Sequence, residues 1–319
     1  MQHIRQAATS GWANISLPEP ASLDAMTTLA AYESLRALMP ENAPRNTRQI
    51  ARLRDLIDEV EGFILDGYGV INLGSEMIPG IAEFFSQAEA AGRPVIVLTN
   101  GASFPSTKAA AKYANWNLPV KASHVVSSRD ATLSLLADTW SAGRLMTLGR
   151  DTTPLQRADA LHWGQDNPDE ADGFVFLGAV TWDEDQHQQL VSCLIDRPRP
   201  VYIANPDISA PQKQGFSAEP GYWALRLMQE AQIQPIWCGK PHAPAFELAL
   251  AHMDQLAGRP VPRHQIAMVG DSLHTDILGA NHQGLKSVLL TGYGLLKGLD
   301  WQAVVDSTGI HPDIQTDMI

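Results

Sequence analysis

Gly62-Phe-Ile-Leu-Asp-Gly-Tyr-Gly-Val70 is the stretch from which the rest of this chain can be read. A short apolar run stops at Asp66, and the glycines on either side of Tyr68 mark a turn. Such a run, closed by turn residues, fits a strand buried on both faces, as in a parallel sheet. Ligands of open parallel sheets sit beyond the carboxyl ends of the strands, so a carboxylate at that point is placed for chemistry. The alternative is a turn aspartate that only stabilises its own loop. Three further runs weigh against it: Pro94-Val-Ile-Val-Leu98 before Thr99-Asn100-Gly101, Ile236-Trp-Cys238 before Gly239-Lys240, and Ile266-Ala-Met-Val269 before Gly270-Asp271. Together the four endings would bring two carboxylates, a hydroxyl and an ammonium to one sheet edge.

Working outward from Glu61, strands alternate with helical patterns. Ile81, Phe84, Phe85 and Ala88 form one helical face, and Gly92 stands where that helix should stop. The alternation predicts an α/β fold with a doubly wound parallel sheet. Residues 142–232 repeat the pattern without catalytic endings: Leu145–Leu148, Phe174–Leu177 and Val201–Ala204 read as strands, Glu184–Ile195 as an amphipathic helix. This predicts a smaller α/β unit at 142–232 inserted into a core formed by 55–141 and 233–319. Trp140, Trp163 and Trp182 are assigned to the interior of the insert, and the Asn205–Pro211 loop and Trp182-Asp183 to its contacts with a ligand. Residues 1–54 precede the first core strand as a helical extension. It has helical spacing at Leu29, Tyr32, Leu35 and Leu38, and a second helix is expected over Thr47–Asp58.

The 319 residues suffice for two domains, and 45% hydrophobic with 18% charged residues matches an ordinary globular chain. A formal net charge of −12 argues against nucleic-acid and anionic-membrane partners. An anionic substrate would then need local positive charge, which Lys240 and a bound cation can supply. No apolar stretch reaches the ~18 residues of a membrane span, and the first residues lack the apolar core of a signal peptide. Cytoplasmic location is the resulting expectation. Cys193 and Cys238 form no metal-ligand motif and are expected as buried thiols.

With these motifs in place, the chain resembles the haloacid dehalogenase superfamily, and within it class IIA, whose α/β cap lies between the second and third motifs. The resemblance covers about residues 61–294. Motif one is Asp66-Gly-Tyr-Gly-Val70, motif two Leu98-Thr-Asn-Gly101, motif three Gly239-Lys-Pro241, and motif four Gly270-Asp-Ser-Leu-His-Thr-Asp276. It implies a phosphatase acting on a small phosphomonoester through an aspartyl-phosphate. Asp66 would be the nucleophile, Thr99, Asn100 and Gly101 would hold the phosphoryl oxygens, and Lys240 would neutralise charge. Mg²⁺ would be held by Asp66, the Tyr68 carbonyl and Asp271, and Asp276 would orient Lys240 or a metal-bound water. These parts match what phosphoryl transfer needs, which is mostly positioning and charge stabilisation. Hard oxygen ligands suit Mg²⁺. Asp276 can also be read as an acid in a first helical turn, and His274 as an exposed loop histidine.

Tyr68 departs from the pattern, because most phosphatases of the superfamily carry a second Asp two positions after the nucleophile. A phenol with a pKa near ~10 is a poor base at neutral pH, and losing general acid–base help costs typically ~10²–10⁴ in rate. Three outcomes stay open: a slow or altered phosphatase, a metal-independent dehalogenase-like hydrolase, and a phosphate-ligand binding protein without turnover. Simple packing of Tyr68 under the cap is a further reading of the same residue. A homodimer formed through the cap surface is compatible with the sequence but not required by it.

Overall fold

A computed structural model describes residues 17–319 except 44, 150–152, 154, 156, 158, 159 and 213. The first sixteen residues of the N-terminal extension therefore lie outside the described part. Seven parallel strands form the main sheet in the order Arg48–Gln49, Ile314–Thr316, Lys286–Leu290, Ile266–Gly270, Gly62–Leu65, Val95–Thr99 and Val125–Ser127. The chain winds outward from Gly62–Leu65 in one direction and returns through Ile266–Gly270 in the other. The winding therefore reverses between these two strands, the place where open parallel sheets bind ligands at the carboxyl edge. Both strands are buried along their whole length, which explains their unbroken apolar runs.

Helices cover both faces of the sheet. Ile81–Ala90 buries the predicted face of Ile81, Phe84, Phe85 and Ala88, and Gly92 follows it with φ +66°. Ser128–Thr139 starts at a capping box between Ser127 and Asp130. Ala243–Ala257 ends at Gly258 in the left-handed region.

A second sheet of five parallel strands has the order Ile236–Trp237, Val201–Ile203, Gly173–Phe176, Leu145–Leu148 and Leu161–His162. The boundary expected at 232 is corrected here, since Ile236–Trp237 pairs with Tyr202–Ile203 rather than with a main-sheet strand. The Cys238 amide also donates to the Ile203 carbonyl, so the chain leaves the second sheet only at Gly239. An apolar run shows that a strand exists without showing which sheet takes it. Trp163 and Trp182 are buried in this unit, and Trp140 packs edge-on against Tyr202.

The extension also differs from expectation. Its helix spans Ala25–Ser34 and begins at a capping box between Asp24 and Thr27. No helix forms over Thr47–Asp58: Arg48–Gln49 pairs with Ile314–Gln315 at the sheet edge, and Leu53–Leu56 is a 3₁₀ turn. The edge backbone finds partners there, with the Arg48 amide donating to the Asp313 carbonyl and the Ile50 amide to that of Gln315. Leu53 and Leu56, three apart, bury together on the tight turn. No helix among the described residues is long and apolar enough to cross a membrane.

Candidate active site

Asp66 stands one residue past the strand Gly62–Leu65, and its amide donates to the Val269 carbonyl of the neighbouring strand. That bond carries the sheet register one step beyond the strand and holds the carboxylate at the edge. Asp66 Oδ1 accepts from the Gly67 amide and from Lys240 Nζ, each at 2.7 Å. Lys240 Nζ also donates to Asp276 Oδ1 at 2.6 Å. Lys240 and Asp276 are 2% and 0% exposed, so the chain Asp66–Lys240–Asp276 is shielded from water.

Asp276 reaches this position from a π-helical turn, Leu273–Ile277, and its Oδ2 accepts from the Ser272 amide. The wide turn carries motif-four side chains inward, a use of π geometry common at functional sites. Gly270 makes the approach feasible, because a Cβ there would stand 2.1 Å from Asp276 Cγ. Asp276 stands in the first turn of that helical segment and also contacts Lys240 directly. His274 is corrected: it is fully buried, with Nε2 2.6 Å from Glu33 Oε1 and its ring stacked on Tyr32. Only the three-dimensional structure shows that the extension covers this turn.

Asp271 Oδ2 accepts from the Leu295 amide at 2.8 Å. Two glycines at positive φ press against this carboxylate: a Cβ on Gly69 would lie 2.4 Å from Asp271 Cγ, and one on Gly294 1.7 Å from Oδ2. The motif-one loop thus closes onto Asp271. Asp66, Asp271 and Asp276 each place a carboxylate oxygen within 4.8 Å of the others.

Three buried carboxylates share one ammonium, and the electrostatics reflect the excess of negative charge. Burial first, then the charge of Asp276, hold the Asp66 carboxyl above its usual range despite the opposing effect of Lys240. Asp271 is pushed well up by burial and by Asp66 and Asp276. Burial disfavours the Lys240 ammonium, but Asp276, Asp66 and Asp207 outweigh it and raise its pKa. A cluster of hard oxygens short of positive charge is chemically suited to a divalent cation such as Mg²⁺.

Asn100 ties motif two to the other elements. Its Oδ1 accepts from the Lys240 amide and the Ser128 hydroxyl, each at 2.8 Å, and its Nδ2 donates to Asp207 Oδ1 at 2.8 Å. The Gly101 amide donates to Thr99 Oγ1 at 3.2 Å, so Thr99 and Gly101 form one small turn at the end of Val95–Thr99. Ser128 and Asp207 were not singled out in the sequence. Asp207 lies in the Asn205–Pro211 loop, but nothing in that segment marks the aspartate as the residue that would reach Asn100. Burial raises its pKa to about 6, partly offset by Lys240 and by the Asn100 bond. Tyr68 reaches the same loop, and its hydroxyl donates to the Pro211 carbonyl at 2.5 Å.

Comparison with known proteins agrees with this geometry. Residues 63–160 match the model of haloacid dehalogenase-like hydrolases, and residues 237–303 match that of HAD-hydrolase-like proteins. The 5'-nucleotidase YutF of Bacillus subtilis is 25% identical over 235 residues, covering 72% of this chain and 86% of its own. The acid sugar phosphatase of Staphylococcus haemolyticus is 27% identical over 254 residues, covering 76% and 90%. Among solved structures, a possible sugar phosphatase of Cytophaga hutchinsonii superposes with a TM-score of 0.74 at 24% identity, covering 86% of this chain and 98% of its own. The chain belongs to the haloacid dehalogenase superfamily. Within it, the chain is a class IIA hydrolase.

Proposed function

We propose that this hydrolase is a Mg²⁺-dependent phosphatase of small phosphomonoesters, with Asp66 as nucleophile and the second sheet as its cap. The observation that carries the reading is the buried Asp66–Lys240–Asp276 chain beside Asp271. It supplies a carboxylate aimed by a fixed cation, with a cluster of oxygens suited to a metal alongside. That deficit of positive charge favours a cation-using phosphatase over the metal-independent dehalogenase.

In this mechanism an Asp66 oxygen forms a bond to phosphorus while the ester P–O bond breaks. Lys240 favours the ionised form of Asp66 against the effect of burial and stabilises negative charge on the phosphoryl group. Asp276 keeps Lys240 charged and in place. Thr99 and the amides of Asn100 and Gly101 orient the phosphoryl oxygens. Asp66, Asp271 and the Tyr68 carbonyl would hold Mg²⁺, which would supply electrostatic stabilisation of the transferring group. Hydrolysis of the aspartyl-phosphate then returns Asp66.

The leaving oxygen needs a proton, and the Tyr68 hydroxyl already donates its own to Pro211. This favours slow turnover of poor leaving groups and faster turnover of phenolic esters. Phosphate release from sugar phosphates, nucleoside monophosphates and p-nitrophenyl phosphate, measured for wild type and Asp66→Asn, tests the proposal. Release by wild type that the variant lacks is expected. Stabilisation by phosphate esters without release would instead identify a binding protein.

A further inference from the structure

The helix Ala25–Ser34 has no part in the chemistry, yet it touches both sheets' structures. Leu29 packs with Leu273, Ile277 and Leu278 of the catalytic unit, whereas Tyr32 and Leu35 pack with Ile208, Tyr222 and Trp223 of the inserted unit. Its polar contacts divide the same way. Glu33 bonds His274 at 2.6 Å, and the Tyr32 ring stacks on that histidine with centroids 5.0 Å apart. Toward the insert, the Tyr32 hydroxyl accepts from the Ile208 amide at 3.2 Å, and Thr28 Oγ1 lies 2.6 Å from Ser209 Oγ. The Pro18 carbonyl, just before the helix, accepts from the Tyr222 hydroxyl at 2.9 Å.

These contacts converge on one loop. Asp207 is bonded to Asn100, Ile208 to Tyr32, Ser209 to Thr28, and Pro211 to Tyr68. Residues 207–211 of the insert are thus held from the catalytic edge and from the extension together. Asp66 and Asp271 beneath are 8% and 6% exposed, as expected of a site covered by the insert.

We infer that the N-terminal segment is a strap that holds the inserted unit closed over the catalytic edge, with Thr28 and Tyr32 as positioning residues that restrict the site to small phosphate esters. The size restriction rests on the phosphatase reading; the strap itself does not. Removing these two bonds, along with the bond from the Thr28 hydroxyl to the Asp24 carbonyl, while keeping the packing should loosen residues 205–218 selectively, because the sheets keep their own cores.

The test uses the full chain carrying Thr28→Ala and Tyr32→Phe together. Hydrogen exchange of the amides at 205–218, Ile208 above all, should accelerate about tenfold, with Gly62–Leu65 and Ile266–Gly270 unchanged. The ratio of kcat/KM for a phosphoserine peptide over p-nitrophenyl phosphate should rise by a similar factor. Thr28→Ser, which keeps the hydroxyl, should behave as wild type. If the double variant does not fold, each single change should give about threefold faster exchange. Unchanged exchange at 205–218 overturns the strap, and faster exchange with an unchanged ratio overturns the size restriction. Absence of phosphate release by any of the proteins would defeat the phosphatase reading alone, since exchange is measured without turnover.

Discussion

The Tyr68 hydroxyl donates to the Pro211 carbonyl at 2.5 Å, so the residue two positions after the nucleophile secures a loop of the insert. Tyr68→Phe should therefore leave the chemical step nearly intact, with kcat for p-nitrophenyl phosphate within about threefold of wild type. Tyr68→Asp restores an acid at this position. For alkyl phosphates it should raise kcat by about tenfold or more, given that general acid catalysis is typically worth ~10²–10⁴. Steady-state kinetics on alkyl and aryl esters check both. A large loss in Tyr68→Phe would show that the phenol is the proton donor after all.

Lys240 holds two buried carboxylates, and Lys240→Met would leave both without their cation. The expected outcome is a stability loss of about 3 kcal/mol by urea unfolding, because a broken buried pair leaves uncompensated charge. Turnover should fall by roughly 10³ or more, as when a preorganised electrostatic group is removed. Unaltered turnover would remove Lys240 from the mechanism.

Mg²⁺ should raise the thermal midpoint of the wild-type protein and EDTA should reverse the effect. At a hundredfold excess over its Kd, an ion bound only to the folded state stabilises by about 2.7 kcal/mol. Asp271→Asn should lose most of this shift along with phosphate release. A full Mg²⁺ shift in that variant would locate the ion elsewhere.

His242 follows motif three, half-buried and stacked on Trp237 with centroids 5.7 Å apart. Burial holds its imidazole pKa down to about 4, whereas an unfolded histidine takes its proton near ~6.5. Between these values the unfolded histidine binds more protons, so the His242 contribution to stability should fall as pH drops from about 6.5 to 4, by at most about 3 kcal/mol, while the raised carboxyls of Asp66, Asp207 and Asp271 contribute with the opposite sign. The buried imidazoles of His187 and His274 are also held down and add the same sign as His242. Between pH 7.5 and 4.5 the change in stability from urea unfolding should be more favourable in His242→Phe than in wild type, and an identical change in both would remove His242 as a contributor.

The sequence by itself determined the class of fold and pointed to several of the candidate site residues. Asp66, Thr99 and Asp271 are legible because a strand buried on both faces must be apolar, and the first polar residue beyond it marks the sheet edge. Gly270 and Gly69 carry a similar local signal, since close approach leaves no room for a side chain. Tertiary structure alone decided which sheet received Ile236–Trp237, that the extension gave an edge strand instead of a second helix, and that His274 lay beneath Tyr32. It also decided that Asn205–Pro211 joined Asn100, Tyr32, Thr28 and Tyr68 through Asp207, Ile208, Ser209 and Pro211. Those outcomes depend on contacts between segments far apart in sequence, 34 residues for Tyr202 and Ile236 and more than a hundred for the others, whose pairing is set by packing and by the need of buried polar groups for partners. Periodicity records the environment of each segment, but not the identity of its neighbour.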